Sequence, residues 1–107
     1  MNHKYRKKPI VIEAFQMTIE RRWDNSEWPQ WLREAWSRPE GDIGSLYPRF
    51  RHVSILDKPS NDIMLVTVEN VHIIQWNDYI VKGVNGELYN VRKDAFEKTY
   101  EKVESDD

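Results

Sequence analysis

Residues 63–92 read IMLVTVENVHIIQWNDYIVKGVNGELYNVR, and the reading of this stretch decides the fold. Four short apolar runs, Ile63–Val68, Val71–Trp76, Tyr79–Val84 and Glu87–Arg92, alternate with the two-residue gaps Glu69–Asn70, Asn77–Asp78 and Asn85–Gly86. Asn–Gly is the strongest of these turn signals, because a type I′ turn demands positive φ at both central residues. The other two gaps each hold a residue that tolerates that conformation. Three tight hairpins in a row predict a β-meander. In that register one face carries Met64, Val66, Val68, Val71, Ile73, Ile80 and Val91. The other carries Ile63, Leu65, Ile74, Trp76, Tyr79, Val81 and Leu88. Neither face is polar, so the sheet must be covered on both sides or curl around its own core. The pattern predicts an α+β chain: a twisted antiparallel sheet or partial barrel, built from the meander and an N-terminal strand, packed against one Trp-rich helix.

That helix lies upstream. Trp28, Trp31, Leu32, Ala35 and Trp36 recur at helical spacing and form one apolar stripe. Pro29 requires the residue four positions back to lie outside the helix, which favours Ser26 over Asp24 as N-cap. Pro39 pushes Arg38 out of the helical region and ends it. Trp23 is expected at the surface or stapling the helix start from outside, while Trp28, Trp31 and Trp36 pack as core. A loop follows from Gly41 to about Arg49, then a strand over Phe50–Leu56 and a turn over Asp57–Asp62. At the N-terminal side Pro9–Met17 is apolar on both faces and reads as the first strand, with Glu13 the odd member. At the C-terminal side Lys93–Glu97 reads as one helical turn, with Lys98–Val103 as a last strand anchored by Phe96 and Tyr100.

Composition narrows the function classes. The 107 residues hold 16 Lys plus Arg and 18 Asp plus Glu, a net charge of -2. They fit a single domain, with a frayed basic N-terminus and a frayed acidic C-terminus. This balance disfavours a nucleic-acid grip by the whole surface, which needs excess basic charge. The absence of cysteine excludes disulfides, thiolate nucleophiles and iron–sulfur clusters. No apolar run approaches a membrane span, and the basic opening has no apolar stretch behind it long enough for a signal peptide. No membrane partner and a cytoplasmic setting are the expectations.

Two stretches carry a resemblance. Residues 4–16 read KYRKKPIVIEAFQ, and residues 77–101 read NDYIVKGVNGELYNVRKDAFEKTYE. With Trp28–Pro29 and Trp31–Leu32 between them, they resemble a family of small phage- and prophage-encoded proteins. That family opens KYRKKPVVIEAFQ, carries a W-P-x-W-L helix, and ends G-D-W-I-V-K-G-x-x-G-E-x-Y followed by F…T-Y-E. The resemblance implies a bacterial-host cytoplasm and no particular activity. Asn77 stands where the family has glycine.

The candidate sites follow from residue type and spacing. Glu13 among apolar neighbours reads as a general acid/base or ligand anchor, or as a structural partner for Lys82, Arg92 or a backbone donor. Asp78, Lys82 and Tyr89 cluster at the third hairpin, where Lys82 is expected to face Tyr89; turn capping and an ordinary cross-strand pair are the plainer alternatives. His3, His52 and His72 lack metal-pair spacing, His72 reads as a core histidine, and neither a metal nor a cofactor is expected. Lys4, Tyr5, Arg6, Lys7 and Lys8 form a basic cluster suited to phosphate and base contact. No phosphate-loop, dinucleotide, serine-hydrolase or zinc-protease motif is present. The expectation is a non-catalytic accessory protein that binds a macromolecule, with a host or phage protein as partner. Nucleic-acid binding through the basic cluster is one alternative. A ligand-binding or enzymatic site at Glu13, Asp78 and Lys82 is the other.

Overall fold

The computed structural model describes residues 3–6, 8–50 and 61–103, and its class is α+β. Strand β1 (Glu13–Gln16) leads into helix α1 (Ile19–Trp23), a 3-10 turn at Asn25–Glu27 and helix α2 (Gln30–Ser37). Strands β2 (Leu46–Pro48), β3 (Ile63–Val66), β4 (Val71–Ile74), β5 (Tyr79–Lys82) and β6 (Leu88–Val91) follow, then helix α3 (Lys93–Thr99). The expected Phe50–Leu56 strand lies almost wholly outside the described residues, as do His52, Lys7 and most of the acidic C-terminus.

The meander is broken at its middle turn. The strands form two separate antiparallel sheets, β1-β5-β6 and β2-β3-β4, and β4 does not pair with β5. Neither sheet closes into a barrel. The expected Asn77–Asp78 hairpin fails because its backbone groups find other partners. The Asn77 N–H donates to the Met17 carbonyl at 2.8 Å, and the Asp78 carbonyl accepts from the Met17 N–H at 2.9 Å. The chain turns tightly from Gln75 to Asp78, with Asn77 at φ 75°, and β5 departs to pair with β1. A side chain at positive φ is strained unless it is Gly or Asn. Asn77→Gly is therefore expected to hold stability within about 1 kcal/mol of the parent, and Asn77→Val to lose roughly 1–2 kcal/mol, read from urea midpoints.

The two outer hairpins survive with changed registers. β3 and β4 pair Ile63↔Ile74 and Val66↔Val71, so the connection is four residues rather than two. That slip of two leaves each side chain on its expected face. β5 and β6 pair Val81↔Tyr89 and Lys82↔Leu88, a slip of one from the expected pairing, which reverses the faces of β6. The cause is the turn: Gly86 alone has positive φ, 83°, and Gly83 N–H bonds to the Glu87 carbonyl. This is a three-residue loop with a glycine bulge in place of the type I′ pair.

Other elements also depart from expectation. α2 starts at Gln30 with Pro29 as N-cap, because the residue before proline is driven extended, here Trp28 at φ -63° and ψ 129°. Asp24, not Ser26, does the capping nearby: its side chain accepts from the Ser26 N–H at 3.1 Å and starts the 3-10 turn. β2 occupies part of the expected loop, because positive φ at Gly41 and Gly44 folds the chain back and Gly44 N–H bonds to the Val66 carbonyl. Pro48 sits at the end of this edge strand, where its missing donor costs nothing. No strand forms over residues 98–103; α3 instead extends to Thr99 and runs out into irregular chain.

The core lies between the sheets and α2. Met17, Trp28, Leu32, Ala35, Leu46, Ile63, Leu65, Ile74 and Ile80 form one buried cluster, with Phe15, Trp31, Trp36, Trp76 and Leu88 packed around it. Register shows why: Phe15, Ile80 and Leu88 share one face of the first sheet. The opposite face carries Tyr79, Val81, Tyr89 and Val91, and α3 covers it through a Tyr79–Phe96 stack with ring centroids 3.9 Å apart. A sheet apolar on both sides is thus covered on both, the second time by a helix longer than the single turn expected there.

Candidate functional site

Glu13 on the first strand and Asp78, Lys82 and Tyr89 at the third hairpin do not form one site. Glu13 stands opposite Lys82, and the Lys82 Nζ lies 3.9 Å from the Glu13 Oε2. Both side chains are substantially exposed, at 39% and 64% for Lys82 and Glu13. Glu13 is therefore not the buried carboxylate its apolar neighbours suggest, since it begins the strand rather than sitting at its middle. An exposed pair of this kind contributes at most about 1 kcal/mol.

Asp78 is the buried member, 2% exposed, and its carboxylate is engaged in structure. Its Oδ2 accepts from the Gln75 N–H at 3.0 Å and from the Asn90 Nδ2 at 3.2 Å. The carboxylate thereby ties the Gln75–Asp78 turn to β6. Tyr89 lies on the other side of the sheet from Lys82 and Glu13, because the one-residue slip pairs it with Val81. Its phenol meets Tyr100 rather than the lysine. Burial, and then the hydrogen bond with Tyr100, push the Tyr89 phenol up to about 12. Tyr79 is also raised, by burial and by the adjacent Glu97 carboxylate, which accepts its hydroxyl at 3.2 Å. His72 is exposed on β4 instead of buried.

Raised phenol values predict the alkaline behaviour. Unfolded tyrosine loses its proton near pH 10, while folded Tyr89 holds it to about 12. Across that window the unfolded chain binds fewer protons, so stability is complete below about pH 10 and is lost as pH rises toward 12. Tyr89→Phe is expected to flatten the fall of the melting temperature between about pH 10 and 12, with little change at neutral pH.

A groove of about 1230 Å³ runs between β1 and α3. Residues of both alternations, Glu13 and Phe15 with Ala14 and Gln16, line it. Successive side chains of a strand point to opposite faces, so a groove touching both must follow the strand's outer edge. β1 has no strand neighbour on that side among the described residues. The walls are aromatic and carry more acid than base: Trp31, Tyr79, Phe96 and Tyr100, with Glu13, Glu27, Glu97 and Glu101 against Arg21 and Lys102. Phe96 stacks on Tyr100 at 4.8 Å, and the Arg21 guanidinium lies 4.7 Å over the Phe15 ring. Arg21 also donates to the Gln16 carbonyl at 2.8 Å, engaging the outward acceptor at the C-terminal end of β1.

The N-terminal arm continues β1 past this groove. Residues 3–6 and 8–11 are exposed, Tyr5 at 94% and Val11 at 73%. The strand expected over Pro9–Met17 is paired only from Glu13 onward, because its neighbour β5 ends at Lys82 and turns at Gly83. A second hollow of about 550 Å³ lies on the arm's other flank, bordered by Gly83, Glu87 and Tyr89. The sequence signal for the groove is the apolar run 10–12 beside Glu13. Its significance needed the length of β5, which pairs only by register.

Among the described residues no cluster of three or more His, Asp or Glu could hold a metal ion, and no helix is long and apolar enough to cross a membrane. No family model, curated protein or solved structure matches the chain.

Proposed function

We propose that the chain is a small non-catalytic accessory protein, phage- or prophage-derived by the resemblance of its two terminal motifs, that acts by binding an extended stretch of another protein along the outer edge of β1. The observation that supports this reading is the aromatic groove, richer in acid than in base, that follows a strand edge with no strand neighbour among the described residues. Such an edge offers backbone donors and acceptors to an incoming strand, and flanking pockets add side-chain selectivity. The acids favour a partner segment with basic flanks. Neither Asp78 nor Lys82 lines the groove, so the grouping of Glu13 with them at one cavity finds no support.

Capture from induced host cells tests the proposal. The tagged parent is expected to retain one or more specific proteins, and the charge-reversed Glu27→Lys/Glu97→Lys variant to lose them, while Val84→Ser at the exposed hairpin tip keeps them. Equal capture by all three would end it.

The exposure of Tyr5 between Lys4 and Arg6 favours a second reading, nucleic-acid contact by the arm. Anisotropy with a labelled single strand would then show affinity falling steeply with salt, and abolition by Lys7→Glu/Lys8→Glu. Absent or salt-independent binding disposes of it.

A further inference from the structure

We propose that the resting occupant of this edge is a second copy of the chain: two β1 strands pair antiparallel about a two-fold axis, and each basic arm lies in the other copy's groove. The inference rests on the reading that the groove accepts extended polypeptide, and it adds that self-pairing controls access to it.

Three observations carry it. Ile10 and Val11, 48% and 73% exposed, belong to a stretch with strand alternation that has no strand partner among the described residues. Apolar strand residues left on an open edge are a template for another strand.

The backbone groups point the right way. The Met17 N–H donates to the Asp78 carbonyl, so with a period of two the N–H groups of Phe15 and Glu13 face β5. That of Ala14 faces outward, and the same alternation carried one residue past the start of β1 puts the Ile12 N–H outward with it.

Charge selects both partner and direction. Residues 3–12 carry Lys4, Arg6, Lys7 and Lys8 and no acid. Glu27 and Glu97 sit by the Gln16 end of β1: Glu27 pairs with Arg21, which holds the Gln16 carbonyl, while Glu97 accepts from Tyr79, which stands opposite Gln16, and pairs with Lys93 at 3.3 Å; both carboxylates keep about half or more of their side chain exposed to an incoming cation. Antiparallel pairing sends the partner's arm, which precedes its β1, toward that acidic end. Parallel pairing would send it away. A two-fold axis makes the contact reciprocal and closed, and joins the two sheets into one of six strands.

Sedimentation equilibrium or light scattering on the full chain tests this. The parent is expected at twice its 12.9 kDa mass at tens of micromolar. Ile12→Pro removes an outward donor without touching the β1–β5 ladder and is expected to weaken association by at least about 100-fold. Arg6→Glu/Lys8→Glu, and separately Glu27→Lys/Glu97→Lys, are expected to weaken it at least about 10-fold, and the variant carrying all four changes to regain it. Those four positions are exposed, so the charge swap stands as a test even if the proline variant misfolds. A parent of single-chain mass at about 100 µM overturns the inference. So does a dimer indifferent to Ile12→Pro, or a four-site variant that does not reassociate. A monomer that still loses its captured partners on Glu27→Lys/Glu97→Lys would leave the groove reading standing alone.

Discussion

Trp28→Ala is expected to destabilise the chain by about 3–5 kcal/mol, enough to leave a domain of this size largely unfolded at 37 °C. The indole is 5% exposed, packs edge-on against Trp36 with centroids 5.5 Å apart, and donates its Nε1–H to the Arg21 carbonyl at 2.7 Å. Truncation removes a large apolar side chain from the cluster that joins both sheets to α2. It also strands a carbonyl at the end of α1, and a cavity this large relaxes only in part. Trp23→Ala supplies the contrast. That indole is 48% exposed, donates to Asn61 Oδ1 and lies under the Arg22 guanidinium, so a loss of about 1 kcal/mol is expected. Urea midpoints by far-ultraviolet circular dichroism separate the two; comparable losses would mean that the indoles are not divided between core and surface.

The second large effect is at Asp78. Asp78→Ala is expected to cost about 2–4 kcal/mol, because it leaves the Gln75 N–H and the Asn90 amide without their shared acceptor inside the structure. Asp78→Asn keeps an oxygen in place and should recover most of that loss. Glu13→Gln, at the exposed ion pair with Lys82, should change stability by less than about 1 kcal/mol. If Asp78→Ala folds as well as the parent, the carboxylate is not the tie between the Gln75–Asp78 turn and β6. The pair of results also separates structure from function between two carboxylates grouped with Lys82 in one candidate site.

The reasons some features were legible and others were not lie in the range of the forces. The faces of β3 and β4 could be read because alternation survives a register slip of two. The face of Tyr89 could not, because Asn85–Gly86 suits both a two-residue turn and a three-residue loop with a bulge. Only the slip of one in the second form carries Tyr89 away from Lys82. α1 escaped because five residues are too few for helical periodicity; Thr18, which accepts from the Arg21 N–H at 3.1 Å, was its only local mark. α2 was visible from its stripe, but its start was misplaced because the effect of Pro29 on Trp28 outweighed the side-chain cap.

Local chemistry in the amino-acid order determined the α+β class, the Trp-bearing helix and its end at Pro39, the apolar character of both sheet faces and the strand potential of residues 9–17. Each depends on a residue and its near neighbours, through backbone sterics or alternation. Tertiary structure alone decided that Met17 captures the backbone of Asn77 and Asp78, that the meander divides into two sheets, and that β5 is too short to pair the whole first strand. Those outcomes are contests between distant segments for the same hydrogen-bonding groups. Pairing strength is shared by nearly every apolar strand, so the winner is set by how all of them pack around one core. The open edge that carries the proposed function is what that contest left over.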